Sequence, residues 1–423
     1  MGNDIIIYHN DLTDSDNWAT AWFLEHAARK NPSIEVIWIV EPRQVSLGLS
    51  MSEKQINACR KLLESYYPLY EDSYKPLRGG LLQRDDVDMI EGLTEYDRSL
   101  LEMAVKPAYG PKEDATLHGR LVALDFLTFL GGMSRNPVNV FLDVDTLDDI
   151  ENPMNLNLHY HEELVARNKE ELRDYQAIMD EPYPQRVQGL RWWYHTCIQS
   201  LEKRAAEKGN AVRNLDLSSL CKKLKAANSV KYFGGASLGF LQRLIHRDAV
   251  SNIQCCMQAG VFDVSKCLFG KQFNIALNID AAKFVFSKAH AFSRFVIVPA
   301  EATKRVRYAL AGMSYWTSTL QERCLGFNCR VDPMKVATGE VTGEDFQDAT
   351  YLMPDLTAFL CGFLDGFAGS TLTYTSLADT GGALFLKSET SGISTYKIDK
   401  DISLGEQEIL DILSTLVVDG EPL

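Results

Sequence analysis

Residues 4–21 read DIIIYHNDLTDSDNWATA, and they set the fold. Ile5, Ile6, Ile7 and Tyr8 form a short β-branched apolar run, which predicts a strand. The polar loop from His9 to Asp16 follows, and then a helix from Asn17 to Lys30 with Trp18, Ala21 and Trp22 on its apolar face. Asp14, Ser15 or Asp16 can cap the free N–H groups of that helix, and Asn31-Pro32-Ser33 stops it. Residues 34–40, IEVIWIV, are nearly all apolar, as expected of a strand covered on both faces. Strand, helix and strand in this order predict a parallel βαβ unit.

Further outward, VNVFL at 138–142, VKYF at 230–233 and FVIV at 295–298 predict more strands, the last after a helix around 280–289. The chain therefore reads as one α/β domain over residues 1–423, with a mostly parallel Rossmann-like sheet flanked by helices. Two stretches, about 45–117 and 150–215, are expected to be helical insertions. The second carries the aromatic run Arg191-Trp192-Trp193-Tyr194-His195, either a stacking surface for a base or a helix face packed on the core.

The chain has 423 residues, with 43 Lys and Arg against 57 Asp and Glu, a formal charge of −14. That balance argues against nucleic acid and anionic membrane surfaces, whose phosphates it would repel. No apolar run approaches the roughly 20 residues that span a bilayer, and the N-terminus lacks a secretory pattern. Nine scattered cysteines, without zinc-site spacing, suggest reduced buried thiols and a cytoplasmic location.

Asp11, Asp14 and Asp16 lie within six residues after the first strand. In doubly wound sheets, ligands bind beyond the carboxyl ends of the strands. Carboxylates there either bind a hard cation through oxygen or cap the helix and favour its dipole.

Several segments together resemble the nucleoside hydrolase family. The opening motif of that family is an apolar strand, an Asp, then two more Asp four and five residues on; here Asp11 and Asp16 match, with Ser15 between them. Residues 271–275, KQFNI, followed by Asp280-Ala281-Ala282-Lys283, resemble the family's Glu-Phe-Asn-Ile segment, with Gln272 for Glu. Residues 230–236, VKYFGGA, resemble its strand ending in Gly-Gly, and Pro354-Asp355-Leu356-Thr357-Ala358 its His-Asp-Pro-Leu-Ala motif, with Pro354 for His. Asp143 to Thr146 match the strand end that supplies a carbonyl to the metal.

The resemblance implies metal-dependent hydrolysis of the N-glycosidic bond of a ribonucleoside or related ribosyl compound, through an oxocarbenium-like transition state. It implies a Ca²⁺ ion held by Asp11, Asp16, Asp355 and the carbonyl of Thr146, with Asp11 as general base on the attacking water. Asn274, Gln272, Asp14 and Ser15 become the expected ribose contacts. Arg43, after the second strand, suits a phosphate or pairs with Glu41. His9, His118, His159, His161 and His195 are candidates for protonating the leaving base. The partner is a small ribosyl molecule, and family members are commonly homo-oligomers. Two other readings stay open: a catalytically silent protein that binds a ribosyl ligand as a sensor or regulator, and metal-dependent phosphate-ester chemistry.

Overall fold

In the computed structural model, the strand β1 (Asp4–Asn10) is fully inside the sheet because its two faces alternate cleanly. Ile6 and Tyr8 join one apolar core, whereas Ile5 and Ile7 join a second on the opposite face. The structure describes residues 4–12, 14–30, 33–43, 112–134, 136–149, 169–179, 185–263, 272–309, 350–363, 371–377, 384–386, 393–414, 417–418 and 421–422, with residues 94, 98, 340, 341 and 345.

Helix α1 (Ser15–Lys30) returns the chain to β2 (Ile34–Val40), which pairs with β1 in parallel from Ile34 beside Asp4 to Val40 beside Asn10. Helix α2 (Lys112–Met133) leads to β3 (Asn139–Leu142), and α3 (Gln185–Glu207) to β4 (Ala211–Asn214). The chain then crosses back: β5 (Ser229–Gly235) pairs with the other side of β1. Helix α4 (Gly239–Ile245), β6 (Ile253–Gln258), α5 (Phe273–Ala276), α6 (Ile279–Ser287) and β7 (Arg294–Val298) continue outward. Beyond them come β8 (Val306–Ala309), β9 (Thr350–Tyr351), α7 (Pro354–Phe363), β10 (Thr371–Leu377), β11 (Leu384–Leu386), β12 (Ser394–Lys397) and β13 (Ile402–Leu404). The main sheet runs β11-β10-β12-β7-β6-β5-β1-β2-β3-β4. Its eight strands from β12 to β4 are parallel, and β10 and β11 close one edge antiparallel. The expected α/β class and parallel sheet are therefore observed.

Order reverses between β1 and β5, the switch point beyond whose carboxyl ends doubly wound folds bind their ligands. Two boundaries need correction. The stretch 150–215 is not purely an insertion, because it holds sheet strand β4 and helix α3, whose Trp193 and Tyr194 are buried in the core. Trp193 also meets Tyr175 edge-on at 5.3 Å, so Trp193 and Tyr194 pack on the core while Arg191, Trp192 and His195 turn outward. The end of the first stretch, from Lys112, already belongs to the core helix α2. Apart from residues 94 and 98, residues 45–111 lie outside the described residues. Cys197, Cys221, Cys255, Cys256 and Cys361 are buried free thiols, as expected; the other four cysteines lie outside the described residues. No described helix is long and apolar enough to cross a membrane.

Candidate functional site

The β1–α1 loop folds around two asparagines that the sequence reading passed over. Asn10 Oδ1 accepts the N–H groups of Asp11 at 2.8 Å and Leu12 at 3.4 Å. Its amide donates to Asp355 Oδ2 at 2.9 Å. Asn17 Oδ1 accepts the Asp14 N–H at 3.0 Å, and the Asn17 amide also donates to Asp355 Oδ2. Leu12 adopts φ 59°, a left-handed conformation costly for a branched side chain. That turn is held by burial of its side chain and by a hydrogen bond from Trp18 Nε1 to its carbonyl at 3.2 Å. Such strain at a strand end is a common mark of a functional loop.

The two ends of the chain meet here. Asp355, at the start of α7, donates its backbone N–H to Asp16 Oδ2 at 2.8 Å. Burial drives the carboxyls of both residues upward, Asp16 to about 6; the charge of Asp11 adds to both and that of Asp16 to Asp355, while the Asp355 N–H offsets part of the rise at Asp16. The glycines ending β5 make room for this packing. A Cβ on Gly235 would lie within 2.6 Å of Asp355 Cγ and Oδ1, and one on Gly234 within 2.8 Å of the Tyr232 ring. Gly-Gly is therefore a demand of close approach inside the strand, not a turn. Gly235→Ala should cost about 1–3 kcal/mol, the usual range for overpacking, and displace Asp355. Thermal melts and the chemical shifts of the Asn10 and Asn17 amides check this; an unchanged Tm and spectrum would contradict it.

Arg43 forms the centre of a second network. Its Nε donates to Asp11 Oδ2 at 3.0 Å, its Nη2 binds the same oxygen, and its Nη1 donates to Glu41 Oε1 at 2.7 Å. Ser237 Oγ donates to Glu41 Oε2 at 2.7 Å. All of these side chains are buried. Burial alone would push the Glu41 carboxyl up, but Arg43, His9 and the Ser237 hydrogen bonds bring it below its ordinary value. The guanidinium also lies 5.1 Å from the Phe273 ring centre, a cation–π distance. Of the two readings of Arg43, the pairing with Glu41 is observed, with Asp11 as a second partner, and the fork is turned to these two acids.

Beside Glu41, His9 Nδ1 shares a hydrogen with the Tyr232 hydroxyl at 2.8 Å, and its Nε2 stands 3.5 Å from Glu41 Oε2. Burial holds the His9 imidazole down at about 4, so it is neutral at physiological pH. Of the other candidate histidines, His118 is buried on α2 with its ring 6.0 Å from Tyr194, and His195 is exposed on α3. His159 and His161 lie outside the described residues.

The 272–274 segment sits at the end of β6. Asn274 Nδ2 donates to the Gln258 carbonyl at 2.8 Å and to Gln258 Oε1 at 3.0 Å. Both amide hydrogens are therefore engaged, and what Asn274 can offer a ligand is its carbonyl oxygen. Gln272 caps α5, its Oε1 accepting the Ile275 N–H at 3.1 Å. Ser15 is buried at the first turn of α1, and Asp14 is half-buried just before it.

The metal set implied by the resemblance can be tested on these contacts. Asp11 Oδ2 is turned to Arg43, Asp355 Oδ2 to Asn10 and Asn17, and Asp16 Oδ2 to the backbone of Asp355. Each carboxylate thus spends at least one oxygen on a protein donor instead of a common centre. Among the described residues, no three His, Cys, Asp or Glu are arranged to hold an ion. Thr146 opens a short helix at Thr146–Asp149; its hydroxyl is buried without a hydrogen-bond partner and takes no part in this network. The neighbouring Asp143 carboxylate is paired with Arg243. The donors present do not fit a calcium site.

No protein-family model matches the chain, and no curated protein matches it. Two solved structures share its general outline. The type III effector protein XopQ complexed with adenosine diphosphate ribose is 12% identical with TM-score 0.39, covering 97% of this chain and 91% of that one. The effector protein XOO4466 is 12% identical with TM-score 0.40, covering 98% and 92%.

Proposed function

We propose that the protein binds a ribosyl compound of nucleoside-like size, acting as a sensor or regulator without turning it over. The ligand lies at the carboxyl ends of β1, β2, β5 and β6, with the sugar toward Asp11 and Asn274. The supporting observation is the clamp of Arg43 on Asp11. A carboxylate that already accepts two N–H groups on one oxygen is poorly placed to take a proton from water. Asn274, whose amide hydrogens are spent on Gln258, offers its carbonyl oxygen as an acceptor for sugar hydroxyls. Because Arg43 is committed, the sequence-based reason for a phosphorylated ligand falls away, and a neutral ribosyl group is the preferred occupant.

One observation favours hydrolysis as a second reading. Asp16 and Asp355 form a buried pair with raised carboxyls, the condition in which a carboxylate exchanges protons near neutral pH. In this reading, one of the pair accepts the proton of the attacking water. Calorimetry with ribose, adenosine, ADP-ribose and free adenine, followed by chromatography of the same mixtures, separates the two. Binding of the ribosyl compounds with no released base supports the first reading. Released base supports the second, and no binding of any ribosyl compound overturns both.

Asn274→Ala is expected to weaken ribose and nucleoside binding by about 0.5–1.5 kcal/mol, one neutral hydrogen bond, and to leave any binding of free adenine unchanged. Calorimetric titrations check this; equal losses for nucleoside and base would remove Asn274 from the sugar contact.

A further inference from the structure

The buried carboxylates of Asp11 and Glu41 need positive charge, and Arg43 touches both. It meets Asp11 and Glu41 directly, from the segment that follows β2, and both pairs are shielded from water. Its third contact, the Phe273 ring, belongs to the residue beside Asn274. We propose that Arg43 is the resident cation of this site: its guanidinium occupies the place on Asp11 that a divalent ion would take, so the site is assembled without metal. The inference extends the ribosyl-binding reading above, but it concerns the apo site and is tested apart from any ligand.

The geometry has a physical rationale. A guanidinium is planar, stays charged when buried and presents several donors in a fixed fork. It can therefore bridge Asp11 and Glu41 while its face rests on an aromatic ring, which a spherical ion cannot do. It also couples β2 to the 273–274 segment, so Arg43 is a positioning residue for Asn274 as well as a counter-ion.

The test is calcium binding to the full chain. After extensive chelation, wild-type protein is titrated with CaCl₂ by calorimetry, and its Tm is read with and without 5 mM calcium, a concentration of roughly a hundred times a 50 µM Kd. The expected result is no saturable heat and a Tm shift below 1 °C. Arg43→Gln removes the charge and keeps an amide, so it should gain calcium-dependent stabilisation of several degrees. If Arg43→Gln folds poorly, the double variant Arg43→Gln/Glu41→Gln, which removes one charge of each sign, is read in the same way. Saturable calcium binding by wild type with a rise in Tm would overturn the proposal. So would variants that remain indifferent to calcium. Neither outcome depends on whether a ribosyl compound binds, so failure here is distinguishable from failure of the ligand assignment.

Discussion

Arg43→Met is expected to lose roughly 3–5 kcal/mol of stability, the cost of stripping one partner from a buried ion pair. Methionine keeps much of the volume and the contact with Phe273 but supplies no charge. Asp11 and Glu41, both buried, then lose the cation they share. The cost should therefore fall when one acid is neutralised. In a double-mutant cycle, Arg43→Met with Glu41→Gln should be more stable than the sum of the two single changes, by an amount well above 1 kcal/mol for residues in direct contact. Urea melts of the four proteins supply the numbers. Additive effects would mean that Arg43 and Glu41 do not act as one unit. From the sequence, Asp11 is a loop residue whose loss leaves the fold intact; in the structure it balances Arg43, and its removal should also lower stability.

How far the sequence alone reaches is shown by this residue. β1, α1 and β2 were legible because their signals are local: a β-branched run, a polar loop with helix-capping residues, and a Pro-containing stop. Strand β4 was not legible, because AVRN at 211–214 is short and half polar, with Arg213 and Asn214 exposed at the edge of the sheet. The position of Asp355 beside the β1–α1 loop was anticipated through motif resemblance, and the contact to Asp16 is observed. The direction in which each side chain spends its hydrogen bonds could not be read. Asn274 and Gln258 are 16 residues apart, Arg43 and Asp11 are 32, and His9 and Tyr232 are 223. Such pairings are fixed only when the sheet order places β1, β2, β5 and β6 side by side. Asn10 and Asn17 carry one legible signal, an amide flanking an acidic loop that can donate to an acid and accept from the backbone, and each does both.

Asp16→Asn should raise stability at pH 7 and leave it unchanged at pH 4. An acid whose carboxyl is lifted by burial, here from 3.8 to about 6, favours folding only while it is protonated in both states. Below pH 4 the folded and unfolded chains both carry the proton, and no penalty exists. Between about 4 and 6 the folded chain holds more protons than the unfolded one, so stability falls as pH rises. Above 6 the penalty is complete, roughly 3 kcal/mol for a carboxyl raised from 3.8 to about 6. Asparagine can still accept the Asp355 N–H through its carbonyl, so the variant keeps the hydrogen bond and loses the repulsion. His9 acts with the opposite sign: its imidazole is held down at about 4, so its contribution is present above 6.5 and is lost as pH falls toward 4. The two trends partly cancel in the wild-type curve, and the difference between wild type and Asp16→Asn at each pH isolates the acid. Chemical denaturation at half-unit intervals from pH 4 to 7.5, in chelator, measures it. A difference independent of pH would show that Asp16 ionises freely. A variant less stable than wild type at pH 7 only when calcium is present would show that the carboxylate serves an ion, since a metal-binding acid must be ionised and its contribution must grow, not shrink, as pH rises.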